Sequence, residues 1–386
     1  MSASHPCGYA DFPLTASERN PKRKDMRIAI IENGNGSGTQ DEAYRFALFR
    51  EWESLGHEVS VLMLGNDRKT VGTARGRAGI FGVIRTLSRI FFGGFDIVFL
   101  RFFQVLPLLL PLRASRRLPG IVVSDVAPGR GFGMSLSRFL LPFLADRVAV
   151  SEASEEYADR ESARRLVAPV LSEAMVVGAV STTGWLRAFG LREGRYLLFA
   201  PRVVGREELI LVVRAFRELE ETGKLPNGFR LVIAGRFGFD AGTEPYLRSA
   251  IGERDSILSL GEQAGDARRE LFSHAAISIQ SSTDRDGLFE AMACGIPVVA
   301  PSSETNREYL GEAAWYFGDA AGLRDALSFL LVRPLEREGT GAAIRERFHE
   351  RFSPEADAVR LLECFEDVIR ERDSHRYQLK RTHRHA

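Results

Sequence analysis

From residue 26 onward the chain alternates short apolar runs with longer segments of mixed character, the pattern of β-strands separated by covering helices. Ile28-Ala29-Ile30-Ile31 predicts a strand, the run from Asn33 to Gly38 a glycine-rich turn, and Thr39-Gln40-Asp41-Glu42 a capping box opening a helix to about Leu55. Gly56 ends that helix, and residues 59–64 give a second strand, which completes a right-handed βαβ unit. Further strands are predicted at residues 96–100, 121–124 and 147–150. A second series follows: a strand at 196–200, a helix from about Glu207 to Thr222, a strand at 230–234, and strands near Ile257, Ala276 and Pro297. Between Gly178 and Gly194 the regular pattern weakens, so the join between the two series falls there.

The expected organisation is therefore α/β, with two Rossmann-like domains built on parallel sheets at residues 26–185 and 190–355. Residues 1–25 are polar and read as a flexible extension. Ala356, Val359, Leu362, Cys364, Phe365 and Ile369 recur at helical spacing, predicting a helix over 356–374, and the basic stretch 375–386 reads as a loose tail.

Length and composition change this picture little: 386 residues at 45% hydrophobic content are enough for two cores. The net charge of +1 leaves no global field for capturing nucleic acid, which is not expected as a partner. Cys7, Cys294 and Cys364 lack any paired spacing, which argues against a disulfide framework or a zinc site and for a reducing, cytoplasmic setting. No segment has signal-peptide or membrane-span character; the nearest, residues 95–112, carries Asp96, Arg101, Pro107 and Pro111.

The most informative stretch runs from Gly287 to Pro301, Gly-Leu-Phe-Glu-Ala-Met-Ala-Cys-Gly-Ile-Pro-Val-Val-Ala-Pro. It predicts a short helix with Glu290 in its first turn, a left-handed stop at Gly295, and a buried parallel strand beginning at Val298. An ionised carboxylate near the carboxyl ends of parallel strands is placed to accept from two vicinal hydroxyls, as a ribose offers. The plainer reading is a surface carboxylate that favours the helix dipole.

Together with Arg307-Glu308-Tyr309-Leu310-Gly311 and Ala313-Ala314-Trp315-Tyr316-Phe317, this stretch resembles the donor-site signature of family 4 glycosyltransferases of the GT-B fold. The resemblance extends, more loosely, from Met26 to about Arg370. It implies two Rossmann-like domains facing a central cleft, a last helix returning to the first domain, and transfer of a sugar from a nucleotide-sugar with retention at the anomeric carbon. The acceptor class it implies is a glycan, a lipid-linked sugar or a small molecule. On this resemblance Glu290 binds the ribose, Arg202 and Arg206 the diphosphate, and the backbone at Gly287 and Leu288 the phosphate side of the sugar. No metal and no cofactor beyond the nucleotide-sugar substrate are expected.

Several positions depart from the family pattern. Five residues after Arg202, where a lysine is usual, stands Glu207, with Arg206 one residue early as a substitute. Eight residues before Glu290, where a second acid is usual, stands Ser282; Asp284 or Asp286 takes that role or caps the helix, with capping favoured for Asp286. Asp284-Arg285-Asp286 also has the D-x-D form of metal-dependent transferases of another fold, a three-residue match discounted as chance. Asp125 follows the strand at 121–124, where the family carries a histidine reaching the sugar; it is the catalytic candidate with Arg202, as a hydroxyl ligand or a base. Gly34, Gly36 and Gly38 form an acceptor-side loop of G-x-G-x-G spacing, or a tight turn without a ligand.

Residues 75–117 interleave an apolar stripe (Ile80, Phe81, Ile84, Leu87, Ile90, Phe91) with Arg75, Arg77, Arg85, Arg89, Arg113, Arg116 and Arg117. A sheet-covering helix shows the same stripe, and peripheral contact with the inner face of a membrane is the alternative. Two further classes stay open for the whole chain: a non-catalytic binding or partner protein on the same fold, and a nucleotide-sugar epimerase, which shares the architecture.

Overall fold

The computed structural model describes residues 25–33, 39–64, 88–90, 92–100, 119–124, 145–150, 165–167, 178–237, 243–251, 255–282 and 284–382. The first series forms β1 (Arg27–Asn33), α1 (Thr39–Ser54), β2 (Glu58–Leu64), β3 (Ile97–Leu100), β4 (Gly120–Ser124), β5 (Arg147–Val150) and β6 (Arg165–Val167). These strands make one sheet of order β2-β1-β3-β4-β5-β6, parallel throughout. The sixth strand, Arg-Leu-Val, is too short to have registered as a run in the sequence.

The chain then passes α2 (Gly184–Ala188) into β7 (Tyr196–Phe199), β8 (Val203–Val204), α3 (Arg206–Glu221), β9 (Arg230–Ile233), β10 (Arg236–Phe237), α4 (Thr243–Ile251), β11 (Ile257–Ser259) and α5 (Gly265–Ser273). It continues through β12 (Ile277–Ile279), α6 (Arg285–Cys294), β13 (Val298–Pro301), α7 (Glu304–Leu310), β14 (Trp315–Phe317), α8 (Ala320–Leu331), α9 (Pro334–Arg351) and α10 (Pro354–Thr382). The second sheet has the order β11-β9-β7-β12-β13-β14, again parallel, with β8 and β10 forming a small separate ribbon.

Alternation along each strand explains why the second-sheet strands read as continuous apolar runs. Leu197 and Phe199, Leu231 and Ile233, and Val299 enter one core with α3, α4 and α8. Tyr196 and Leu198, Val232 and Ala234, and Val298 and Ala300 enter the other with α5, α6 and α9. A sheet buried on both faces needs apolar residues at every position. α3 shows the complementary pattern, burying Leu209, Val212, Val213, Phe216 and Leu219 at spacings of three and four.

α10 packs on the first series instead of the second. Ala358, Leu361, Leu362, Phe365 and Val368 share a core with Ile28, Ile30, Trp52 and Phe99. Trp52 is fully buried and donates its indole N–H to the Ala358 carbonyl at 3.0 Å. Gly120 lets helix and sheet meet: a Cβ there would lie 2.5 Å from Val368 Cγ1. Arg372 ties the far end, donating to the Pro119 carbonyl at 2.6 Å and pairing with Asp146 at 2.8 Å. Ser353 opens the helix, its hydroxyl accepting the Ala356 N–H. The helix runs on to Thr382, well into the stretch that its basic composition suggested was loose, because nothing from 375 to 382 breaks a helix.

Between the two series the connecting segment is gripped by one turn of α5 and the residue after it. Ser273 accepts the Val180 N–H at 2.9 Å, His274 Nε2 contacts the Thr182 carbonyl at 2.8 Å, and Glu270 accepts the N–H groups of Trp185 and Leu186 at 2.8 and 3.2 Å. Among the described residues no helix is long and apolar enough to cross a membrane.

Candidate functional site

The order of the second sheet fixes where a ligand fits. The chain builds outward from β7 through β9 to β11, then returns to lay β12, β13 and β14 on the other side. The helices that follow β7 and β12, α3 and α6, pack on opposite faces of the sheet, and the switch point between two such strands is where open parallel sheets offer a crevice to a ligand. Arg202 follows β7, and Ser281, Ser282, Asp284 and α6 follow β12, so the sequence positions selected above as donor-site candidates come together at this crevice.

Arg202 is held at both backbone ends: its N–H donates to Asp284 Oδ2 at 3.1 Å, and its carbonyl accepts the Arg236 N–H at 3.1 Å. Its guanidinium pairs with Asp286 at 2.5 Å, with two-thirds of the arginine side chain still exposed. Arg206 is the first residue of α3 and is exposed. Ser282 does not face an open anion site: its N–H and its hydroxyl both donate to Glu208 Oε1, at 2.9 and 2.5 Å, while the Ser281 hydroxyl donates to Oε2 at 2.7 Å. Glu208 thus ties the loop after β12 to the first turn of α3.

Glu290 lies deeper. α6 starts at Arg285, so Glu290 is in its second turn and not its first, and the N-cap position is Asp284 and not Asp286. Arg285 and Asp286 are thus the first two residues of the helix, two positions earlier than the predicted start at Gly287. Gly295 ends the helix in the left-handed conformation, φ 69°, as its position before Ile296-Pro297 predicts. Gly287 and Leu288 are buried within α6, and a Cβ on Gly287 would lie 2.7 Å from Asp284 Oδ2.

The partner of Glu290 is a residue that the sequence reading did not single out. Arg268, from α5, donates Nε–H to Glu290 Oε2 at 2.7 Å, and both side chains are about 15% exposed, 14% and 16%. Its Nη2 donates to the Ala200 carbonyl at the end of β7, at 3.2 Å, and its guanidinium lies 5.0 Å from the Phe272 ring centre. Burial pushes the Glu290 carboxyl up to about 7, against the pull of Arg268 and with added repulsion from Asp284 and Asp286. Asp284 is raised as well, mainly by burial, with Arg268 and the N–H groups of Arg202 and Gly287 pulling the other way. Arg202 and Arg268 are each already matched to a carboxylate, so an incoming phosphate competes with Asp286 for Arg202.

Residues 206–363 match the family described as glycosyl transferase-like. Three solved structures align along nearly their full lengths: a glycosyltransferase from Rickettsia africae ESF-5, Anabaena Alr3699/HepE in complex with UDP and glucose, and a putative UDP-N-acetylglucosamine 2-epimerase from Listeria monocytogenes. The first is 12% identical with a TM-score of 0.61, over 90% of this chain and 99% of that one. The second is 14% identical with a TM-score of 0.54, over 89% and 100%. The third is 14% identical with a TM-score of 0.55, over 90% and 98%. This chain has the GT-B fold. Among curated proteins, none matches it in sequence.

In GT-B terms the described site is the second-domain half. Asp125, Gly34, Gly36 and Gly38 lie outside the described residues, as does most of 75–117. Within that segment Phe92 is 82% exposed and Arg89 is exposed beside it in the chain. A weak signal for Arg268 was present in the sequence: it stands three and four residues before Leu271 and Phe272, on the face that α5 buries.

Proposed function

We propose that this GT-B protein is a retaining glycosyltransferase that moves a sugar from a nucleotide-sugar donor to a glycan, lipid-linked or small-molecule acceptor, without a metal. The observation that supports the reading is the switch point between β7 and β12, where Arg202 pairs with Asp286 of α6 and Glu290 of the same helix pairs with Arg268. The match to a glycosyl transferase-like family over 206–363 covers these elements from α3 onward.

In this reading the ribose hydroxyls donate to Glu290, and the diphosphate takes Arg202 from Asp286, with Arg206 at the start of α3 as the second cation. The exchange at Arg202 is cheap because the arginine side of the Asp286 pair is two-thirds exposed, and surface pairs contribute about 0–1 kcal/mol. As the glycosidic bond opens, charge gathers on the leaving diphosphate, and a guanidinium already in place stabilises it without reorganising. Asp125 and the turn at Gly34, Gly36 and Gly38 are assigned to the acceptor side, and the segment 75–117 to contact with a lipid-linked acceptor at the membrane face.

The acid-laden surroundings of Arg202 favour one competing reading, a binding protein on the same fold that has lost transfer. Epimerisation is the other. Calorimetric titration with UDP and GDP, for wild type and Glu290→Ala, tests the site: at least a tenfold loss in the variant is expected, and unchanged affinity would refute the assignment. Donor assays then separate transfer or hydrolysis from an inert scaffold, and an epimerised free donor would replace the transferase reading.

A further inference from the structure

The proposed donor site assigns Glu290 to a hydroxyl pair but leaves open how a carboxylate this buried is kept available. Its whole charged surroundings are small. From α5 it meets Arg268, and along α6 it feels Asp284, Asp286 and Cys294, while Arg345 of α9 and Arg269 of α5 act on Cys294 from the far side. Arg268 is the one cation in hydrogen-bond contact with Glu290 among the described residues.

The position of Arg268 is fixed three ways. The Ala200 carbonyl takes its Nη2, the Phe272 ring lies one turn along the same helix, and Glu290 takes its Nε. Gly287 lies against the same corner: a Cβ there would be in contact with Arg268 Nη2 and the Ala200 oxygen and would press on Asp284 Oδ2 at 2.7 Å. A guanidinium held by a strand end and an aromatic face has little freedom to leave its carboxylate. Among the described residues the Arg268 bond, at Oε2, is the hydrogen bond that Glu290 makes, so Oε1 stays available as an acceptor.

We propose that Arg268 is a positioning residue of the donor site: it anchors Glu290 through Oε2 and the end of β7 through Ala200, and so presents Oε1 to the hydroxyls of an incoming nucleotide. This rests on the donor-site reading above. Without Arg268 the carboxyl is left to burial and to Asp284 and Asp286, all of which favour its neutral form. A neutral carboxyl accepts hydroxyl protons weakly and has lost the fixed orientation.

The test compares Arg268→Met and Arg268→Lys with wild type and Glu290→Ala, titrating UDP and GDP from pH 6 to 9. Arg268→Met is expected to lose at least tenfold in affinity at pH 7.5 and to recover part of it as the pH rises. Arg268→Lys, which keeps the charge and loses the bond to Ala200, is expected to lose a few-fold with its pH midpoint near that of wild type. Wild-type affinity and an unchanged pH midpoint in Arg268→Met, beside lost binding in Glu290→Ala, would overturn the positioning role and leave the donor site standing. Unchanged affinity in Glu290→Ala would instead overturn the donor site itself. A second readout needs no ligand and serves also if Arg268→Met does not fold: the carboxyl titration of Glu290 by carbon NMR, assigned by its loss in Glu290→Gln. Its midpoint is expected to rise by at least one pH unit in Arg268→Met, and to move by less than that in Arg268→Lys. No rise in Arg268→Met, or in its absence a rise of more than one unit in Arg268→Lys, would refute the role.

Discussion

The raised Glu290 carboxyl predicts that the second domain becomes less stable as its site becomes competent. In an unfolded chain this carboxyl titrates near 4.5, and in the folded protein near 7. The folded state therefore binds the proton more tightly, so the associated stability is fully present below about pH 4.5 and is lost as the pH rises through about 7. A shift of this size corresponds to about 3 kcal/mol. Urea unfolding of wild type and Glu290→Gln at half-unit steps from pH 4.5 to 8 measures it. At the acid end the variant is expected to lie close to wild type, because a neutral carboxyl and an amide leave Arg268 equally without a counter-charge. The diagnostic quantity is the difference between the two profiles: subtracting the variant removes every other titrating group, Asp284 included, and leaves the Glu290 contribution. Wild type is expected to lose about 2–3 kcal/mol relative to the variant between pH 5 and 8. A difference that stays flat within about 0.5 kcal/mol would mean that the Arg268 ion pair outweighs burial and that Glu290 titrates as an ordinary carboxylate.

Other expectations follow from the same structure. Asp286→Asn frees Arg202 and removes one negative charge from the crevice, so UDP and GDP should bind about two- to fivefold more tightly, in line with an exposed ion pair; weaker binding in calorimetry would count against Arg202 as the diphosphate ligand. Gly120→Ala forces a methyl against Val368 and Ile97 and should cost about 1–3 kcal/mol in urea unfolding, with hydrogen exchange rising first along α10; an unchanged midpoint would show that helix and sheet yield easily there.

Much of the architecture was legible because the strands are buried on both faces. Apolar runs such as Tyr196–Phe199 and Arg230–Ile233 stand out from any helix by length and by their glycine and proline boundaries. Arg165–Val167 and Trp315–Phe317 did not: the first opens on a charged residue and the second is aromatic throughout, so neither showed as an aliphatic run. At the site, Arg202, Ser282, Asp286 and Glu290 were found from a linear motif, but their pairings were not. Asp286 meets Arg202, Glu208 meets Ser282, and Arg268 meets Glu290 across 84, 74 and 22 positions of chain, the first of these being the difference of the two residue numbers. Spacing along a sequence says which side chains reach a sheet edge and not which of them neutralise one another there.

The polypeptide crosses between its two lobes twice in the described residues, once through the segment ending at Leu186 and once where α9 gives way to α10 at Ser353. The first crossing is clamped to α5, the helix that also carries Arg268, so the passage between the lobes and the anchor of Glu290 are built on one element.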